Sequence, residues 1–271
     1  MEPPVADAHS GFPAIKEVEV TRAFAWLRCG LADMRAHPLA SGFYGLCFAA
    51  MGVVLLLVFR MAVDYTSTLA MGFMLLGPLL AIGLYDLSRQ RERGQTPSLA
   101  HSLVAWRGNP GGIGIYVLIL TVIFLVWARA SLVTFALFES RGMPTWSAFF
   151  IELMALKNVG FVAAFFGVGM FFAGLVYVFS ALSVPFLLDR RADAVTAAVV
   201  SAKSIATNPG AMLLWALLIV LLIGFGLATA YIGLIVTGPL IGHATWHAYR
   251  DLVGAASPDD GRDAVVASTS L

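Results

Sequence analysis

The chain has 271 residues, 59% of them hydrophobic and only 12% charged, with a mean hydropathy of +0.85. Soluble domains carry about 25% charged residues, so most of this chain belongs in lipid, and the short links between its apolar runs leave no separate soluble core. A net charge of +1 and a pI near 7.8 exclude the basic stripe that a row of phosphates demands, and with it a nucleic-acid partner.

Residues 1–20 carry Glu2, Asp7, Glu17 and Glu19 among prolines, without a basic-then-apolar pattern. They read as a flexible cytoplasmic tail and not as a cleaved signal peptide. From Thr21 to Ala36, the apolar Phe24, Leu27, Leu31 and Met34 recur at spacings of three and four, with Arg22, Arg28, Asp33 and Arg35 elsewhere. Such a stretch forms an amphipathic helix along the inner membrane surface. Ala192 to Thr207 repeats the pattern with Val195, Val199, Ala202 and Ile205, and Ser98 to Arg107 is a shorter version. After each comes a start signal, His37-Pro38, Asn109-Pro110 or Asn208-Pro209. Pro at the first helical position forfeits only an N–H that had no helical partner, and Asn is a good N-cap where His is a weak one.

Six apolar segments are near the roughly 20 residues that span a bilayer: Leu39 to Phe59, Thr66 to Leu87, Gly111 to Phe138, Val159 to Leu188, Pro209 to Gly224 and Gly226 to Tyr249. The last two meet in a tight turn at Gly224-Phe225-Gly226. A second proline closes each pair, in Gly77-Pro78, Val184-Pro185 and Gly238-Pro239. The expected fold is an all-α polytopic membrane protein of six transmembrane helices in three related helical pairs, with cytoplasmic interfacial helices. The membrane domain covers 21–253, with internal repeats at 21–93, 97–189 and 190–253, and 254–271 is a second flexible cytoplasmic tail. Of the 17 Lys and Arg, all but Arg60, Arg129, Arg141 and Lys157 fall in alternate connections. The positive-inside bias therefore puts both termini in the cytoplasm. Cys29 and Cys47 read as small apolar fillers, not a disulfide.

Two strings carry a resemblance: Val184-Pro185-Phe186-Leu187-Leu188-Asp189-Arg190 running on to Asn208-Pro209-Gly210, and Gly238-Pro239-Leu240-Ile241-Gly242-His243-Ala244-Thr245-Trp246-His247-Ala248-Tyr249-Arg250. Together they resemble an uncharacterised family of bacterial integral-membrane proteins built on a domain of unknown function, some of whose members are loosely labelled cytochrome c oxidase components. The resemblance implies a bacterial inner membrane. It implies no mechanism, and a haem–copper subunit would need more spans and more His ligands than this chain offers.

Three sets of residues are candidates for chemistry. His243 and His247, four apart, share a helix face and could ligate haem iron or a metal with a third group; beside Trp246 and Tyr249 they could equally anchor a helix end at the interface. His37 and His101 fall at the same inner interface. The outward-side charges Arg129, Glu139, Arg141, Glu152 and Lys157 interrupt apolar sequence, where unpaired charge costs about 2.5–3.5 kcal/mol, so Glu152 pairs with Arg129 or Lys157, or span three ends near Arg129. Pro78 and Pro239 free the carbonyls of Met74 and Ile235, as in the broken helices of transporters, although kinking for packing is the commoner use. Gly167, Gly169, Gly174, Gly224, Gly226 and Gly233 are placed for close helix packing. No catalytic constellation and no cofactor motif is present in the sequence. The expectation is a non-catalytic accessory or scaffold subunit whose partners are the lipid bilayer and other membrane proteins. A small-molecule carrier using the Pro-broken helices, and a haem or metal protein using His243 and His247, are the alternatives.

Overall fold

A computed structural model describes residues 12–61, 66–138 and 159–254. Every regular element among them is helical: α1 Arg22–Ala36, α2 Pro38–Met61, α3 Thr66–Glu92, α4 Leu99–Leu103, a 3₁₀ turn at Ala105–Gly108, α5 Pro110–Phe138, α6 Val159–Ser180, α7 Ser183–Asp189, α8 Ala194–Thr207, α9 Pro209–Ala228 and α10 Leu234–Val253. The all-α expectation is met. Among the described residues, four stretches are long and apolar enough to cross a membrane: Pro38–Val58, Pro110–Thr134, Val159–Asp189 and Pro209–Ala228. α3 and α10 have the length, but they end in charged and polar runs, Asp86 to Glu92 and His243 to Asp251.

The chain divides into two compact units, one of residues 1–116 with 179–271, the other of residues 117–178. In the first, α10 is the hub and packs on α1, α2, α3 and α9. Its sequence permits this because small residues alternate with large ones. Gly242 and Ala244 let neighbours in close, while Trp246, Tyr249 and Leu252 fill the space and are fully buried. Truncating an aromatic of that size in a core costs about 3–5 kcal/mol. Close approaches are made by glycine on the facing helices too. A Cβ on Gly30 of α1 would stand 2.7 Å from the backbone nitrogen of Ala244, and one on Gly45 of α2 would stand 2.1 Å from the carbonyl oxygen of Ile235. Trp26 of α1 meets Trp215 of α9 edge to face at 5.9 Å.

In the second unit, Phe165 stacks near Phe161 and Phe166, and Phe171 near Phe172. Leu118, Val122, Leu125, Phe166, Met170 and Phe171 are exposed. Among the described residues, nothing lies within 4 Å of a Cβ added to Gly167, Gly169 or Gly174, the glycines expected to mediate close packing.

The turn between the last two long helices also differs from expectation. It lies at Thr229 to Gly233, where Ala230 and Tyr231 adopt positive φ, and not at Gly224-Phe225-Gly226. Gly226 stays helical because it is a packing residue: an added Cβ would sit 2.4 Å from Leu234. Thr229 closes the turn by accepting the Gly233 N–H at 2.9 Å.

The caps divide similarly. Asn109 caps α5 by accepting from Gly112 N–H at 3.1 Å, and its amide donates to the carbonyls of Leu187 in α7 and Ala192 in the lead-in to α8. Asn208 stands at the cap of α9 but makes no side-chain cap bond. Its side chain accepts from Val18 N–H at 2.8 Å and donates to Lys16 O at 2.9 Å, so it holds the lead-in to α1. Lys16 N–H in turn donates to Leu252 O at 2.8 Å. Lys16 and Val18, counted with the tail in the sequence reading, are thus fastened to the last helix and to the start of α9 respectively.

Candidate functional site

The polar ends of α1, α3 and α10 converge in a buried network around Asp33, which is 5% exposed. Ser88 Oγ of α3 donates to Asp33 Oδ2 at 2.6 Å, His247 Nε2 of α10 donates to the same oxygen at 2.8 Å, and Arg91 pairs with Oδ1. Burial alone would raise the Asp33 carboxyl, but the hydrogen bonds from His247 and Ser88, with the charge of His247, hold it below the usual carboxylate range.

His243, 1% exposed, lies one step further in. Its Nδ1 is 2.7 Å from Ser88 Oγ and its Nε2 is 2.9 Å from Ser41 Oγ of α2. The carboxylate decides the direction of the whole chain. An ionised Asp only accepts, so Ser88 must give it its single proton and can only accept from His243. Nδ1 therefore carries the proton, and Nε2 is the basic nitrogen that receives the Ser41 hydroxyl. Chemically the arrangement is a hydroxyl held on a neutral imidazole whose tautomer is fixed, through one serine, by a buried carboxylate. Both ring nitrogens of His243 are engaged within the chain, and among the described residues no group of three or more His, Cys, Asp or Glu is placed to hold a metal ion.

Two further networks continue this polar layer. Glu92 accepts from both Arg250 Nε and Nη2, at 2.8 and 2.6 Å, and from Trp246 Nε1 at 3.0 Å. Asp86, fully buried, accepts from Arg89 at 2.5 Å, Gln90 at 2.6 Å and His101 Nδ1 at 2.7 Å. Near the start of α1, Arg22 binds Asp251 through two nitrogens at 2.8 and 2.9 Å, with Trp26 Nε1 on the same carboxylate at 2.8 Å. The Asp251 carboxyl is also held below its usual range: burial would raise it, and the bonds from Arg22 and Trp26 outweigh that.

The sequence candidates fare unevenly. His243 and His247 do share one face and one network, with partners that the sequence left unnamed. Arg129 is exposed on α5, while Glu139, Arg141, Glu152 and Lys157 lie outside the described residues, so a pairing of Arg129 with Glu152 does too. Pro239 is buried inside α10, and the Ile235 carbonyl that it frees faces the backbone of Gly45 rather than an open cavity. Pro78 lies within α3, and its side chain is outside the described residues. Ser41, Ser88, Asp33 and Arg91 were missed. Their only sequence signal is a polar residue standing beside an apolar run, one turn or so from its charged end.

Long apolar helices with an ion-paired layer at the polar ends of α1, α3 and α10 define a multi-pass α-helical membrane protein. Residues 66–189 match the profile of a family of unknown function described as a predicted integral membrane protein, DUF2189. No curated protein and no solved structure matches the chain.

Proposed function

We propose that this is a six-span protein of the bacterial inner membrane with both termini in the cytoplasm, serving as a non-catalytic accessory or scaffold subunit of a membrane complex. One observation carries the reading. The buried polar side chains where α1, α3 and α10 meet are spent on one another, from Asp33 and His243 to Glu92 and Arg250. A layer satisfied in this way suits a rigid plate better than a site waiting for substrate. The charged ends of α3 and α10 share that layer with α1, which supports counting both as spans that end at the inner face. The exposed Phe166, Met170 and Phe171 of α6 offer apolar surface to lipid or a subunit.

Native mass spectrometry of the protein extracted from its own membrane into lipid nanodiscs tests the proposal. A second subunit at fixed stoichiometry is expected, and a bare chain overturns it. An added mass matching haem or a metal would replace it with the His243 and His247 reading. The carrier reading draws less support, because the Ile235 carbonyl is already covered by Gly45. Solute flux in proteoliposomes that is lost on replacing Pro239 would restore it.

A further inference from the structure

The faces by which α1 and α8 pack against the protein are not the periodic apolar stripes of their sequences. α1 buries Ala23, Trp26, Gly30 and Asp33, while Phe24 is 50% exposed and Leu27, Leu31 and Met34 are only partly covered. α8 buries Ala194, Ala197, Val200, Ser201 and Ser204, while Val195 is 65% exposed and Val199, Ala202 and Ile205 are partly covered. The short α4 and the turn after it repeat the offset, with Ser102 and Ala105 buried and Leu103, Val104 and Trp106 exposed.

The cations complete the pattern. At about 100° per residue, the order around α1 is the packed face, then the Phe24 to Met34 stripe, then Arg28 and Arg35. Around α8, in the same rotational sense, it is the packed face, the Val195 to Ile205 stripe, then Lys203. Arg28, Arg35 and Arg107 are exposed and form no ion pair among the described residues, in contrast to Arg22, Arg89, Arg91, Arg93 and Arg250, which all do. On α1 an apolar stripe bordered on its outer side by guanidinium groups with no ion pair among the described residues fits acyl chains below and phosphate above; on α8 the bordering Lys203 ammonium lies 4.2 Å from the centre of the Phe12 ring.

We propose that α1, α4 and α8 form a lipid-binding collar that seats on anionic phospholipids of the inner leaflet, with Arg28 and Arg35 as headgroup ligands of α1. The proposal rests on the reading that α1 lies at the inner face. It does not depend on the accessory role. It makes the small-residue face of each helix the protein contact and the apolar stripe the lipid contact, and it assigns the unpaired arginines a phosphate partner.

The test uses the full chain in nanodiscs. Cys29 and Cys47 are replaced by Ser, and nitroxide labels are placed by Phe24→Cys and Leu31→Cys. Paramagnetic accessibility at both positions should favour oxygen, which concentrates in acyl chains, over a water-soluble nickel chelate. In parallel, native mass spectrometry counts the phosphatidylglycerol retained in mixed phosphatidylglycerol–phosphatidylethanolamine discs. Each arginine near an anionic surface is worth about fivefold in binding, so Arg28→Ala with Arg35→Ala should weaken retention about 30-fold while leaving phosphatidylethanolamine unchanged. Labels shielded from both reagents would show that protein covers the stripe and would overturn the proposal, as would retention that ignores the two arginines. Nickel access from water would instead refute the placement of α1 at the inner face.

Discussion

Replacing Asp33 by Asn keeps the volume and removes the charge that orders the network. Each of the hydrogen bonds from Ser88 and His247 to an ionised acceptor is worth about 1.5–3 kcal/mol. Arg91, whose side chain is 40% exposed, turns to water at a cost of about 1 kcal/mol or less. The Asn carbonyl oxygen still accepts but carries no charge, so each bond falls by about 1–1.5 kcal/mol, and with Arg91 the net loss should be about 2–4 kcal/mol. The substitution also has a directional consequence. The amide introduced by Asp33→Asn can donate to Ser88, which then gives its proton to His243 Nδ1, and the imidazole proton moves to Nε2 and donates to Ser41. Reversible unfolding in detergent measures the first effect. ¹⁵N NMR of histidine-labelled protein in lipid measures the second, because the two tautomers of a neutral imidazole have well-separated nitrogen shifts. A loss below about 0.5 kcal/mol with His243 keeping its Nδ1 proton would refute the reasoning that Asp33 sets the polarity of the chain.

Acid should expose the same carboxylates. Asp33 and Asp251 are both held below the ordinary value of 3.8, so their contribution is complete above that value and is lost as the pH falls through their lower folded values. The thermal midpoint should drop below about pH 4, and the drop should be shallower in Asp33→Asn; equal acid sensitivity in the two proteins would count against it. Gly45→Ala places a methyl 2.1 Å from the Ile235 carbonyl and should cost about 3 kcal/mol, whereas Gly42→Ala, with nothing within 4 Å, should be neutral in the same unfolding assay. Asn208→Ala should free the lead-in to α1, seen as faster amide exchange at Val18 and Lys16, with about 1–2 kcal/mol of stability lost.

Hydrophobic runs and prolines placed most of the helices, because a bilayer imposes a length and Pro imposes a start. Much less of the packing was legible. In α1 the strongest periodic signal, Phe24 to Met34, marks the less covered stripe, while the face that meets α10 is Ala23, Trp26, Gly30 and Asp33, where a glycine and a charge break the apolar pattern. Close helix contact selects small residues, and small residues look unremarkable in sequence. The same effect made Gly224 to Gly226 resemble a turn when Gly226 is there to admit Leu234. His243 and His247 stood out by their i,i+4 spacing. Asp33, Ser41 and Ser88 did not, since their partners lie 55 to 214 residues away and only tertiary structure brings them together.

Arg22 and Asp251 are 229 residues apart in sequence, and Lys16 binds the carbonyl of Leu252. During synthesis at about 5–20 residues per second, the first helix therefore emerges roughly ten to fifty seconds before the helix it packs against exists. Through that interval Asp33 can find Ser88 and Arg91 but neither histidine, and Trp26 can find Trp215, but Gly30 lacks the Ala244 backbone it packs against. A ribosome that stops short of α10 leaves the hub missing from a chain whose other helices have already been made. Completion of the 20 residues of α10 is thus the event that closes the first unit.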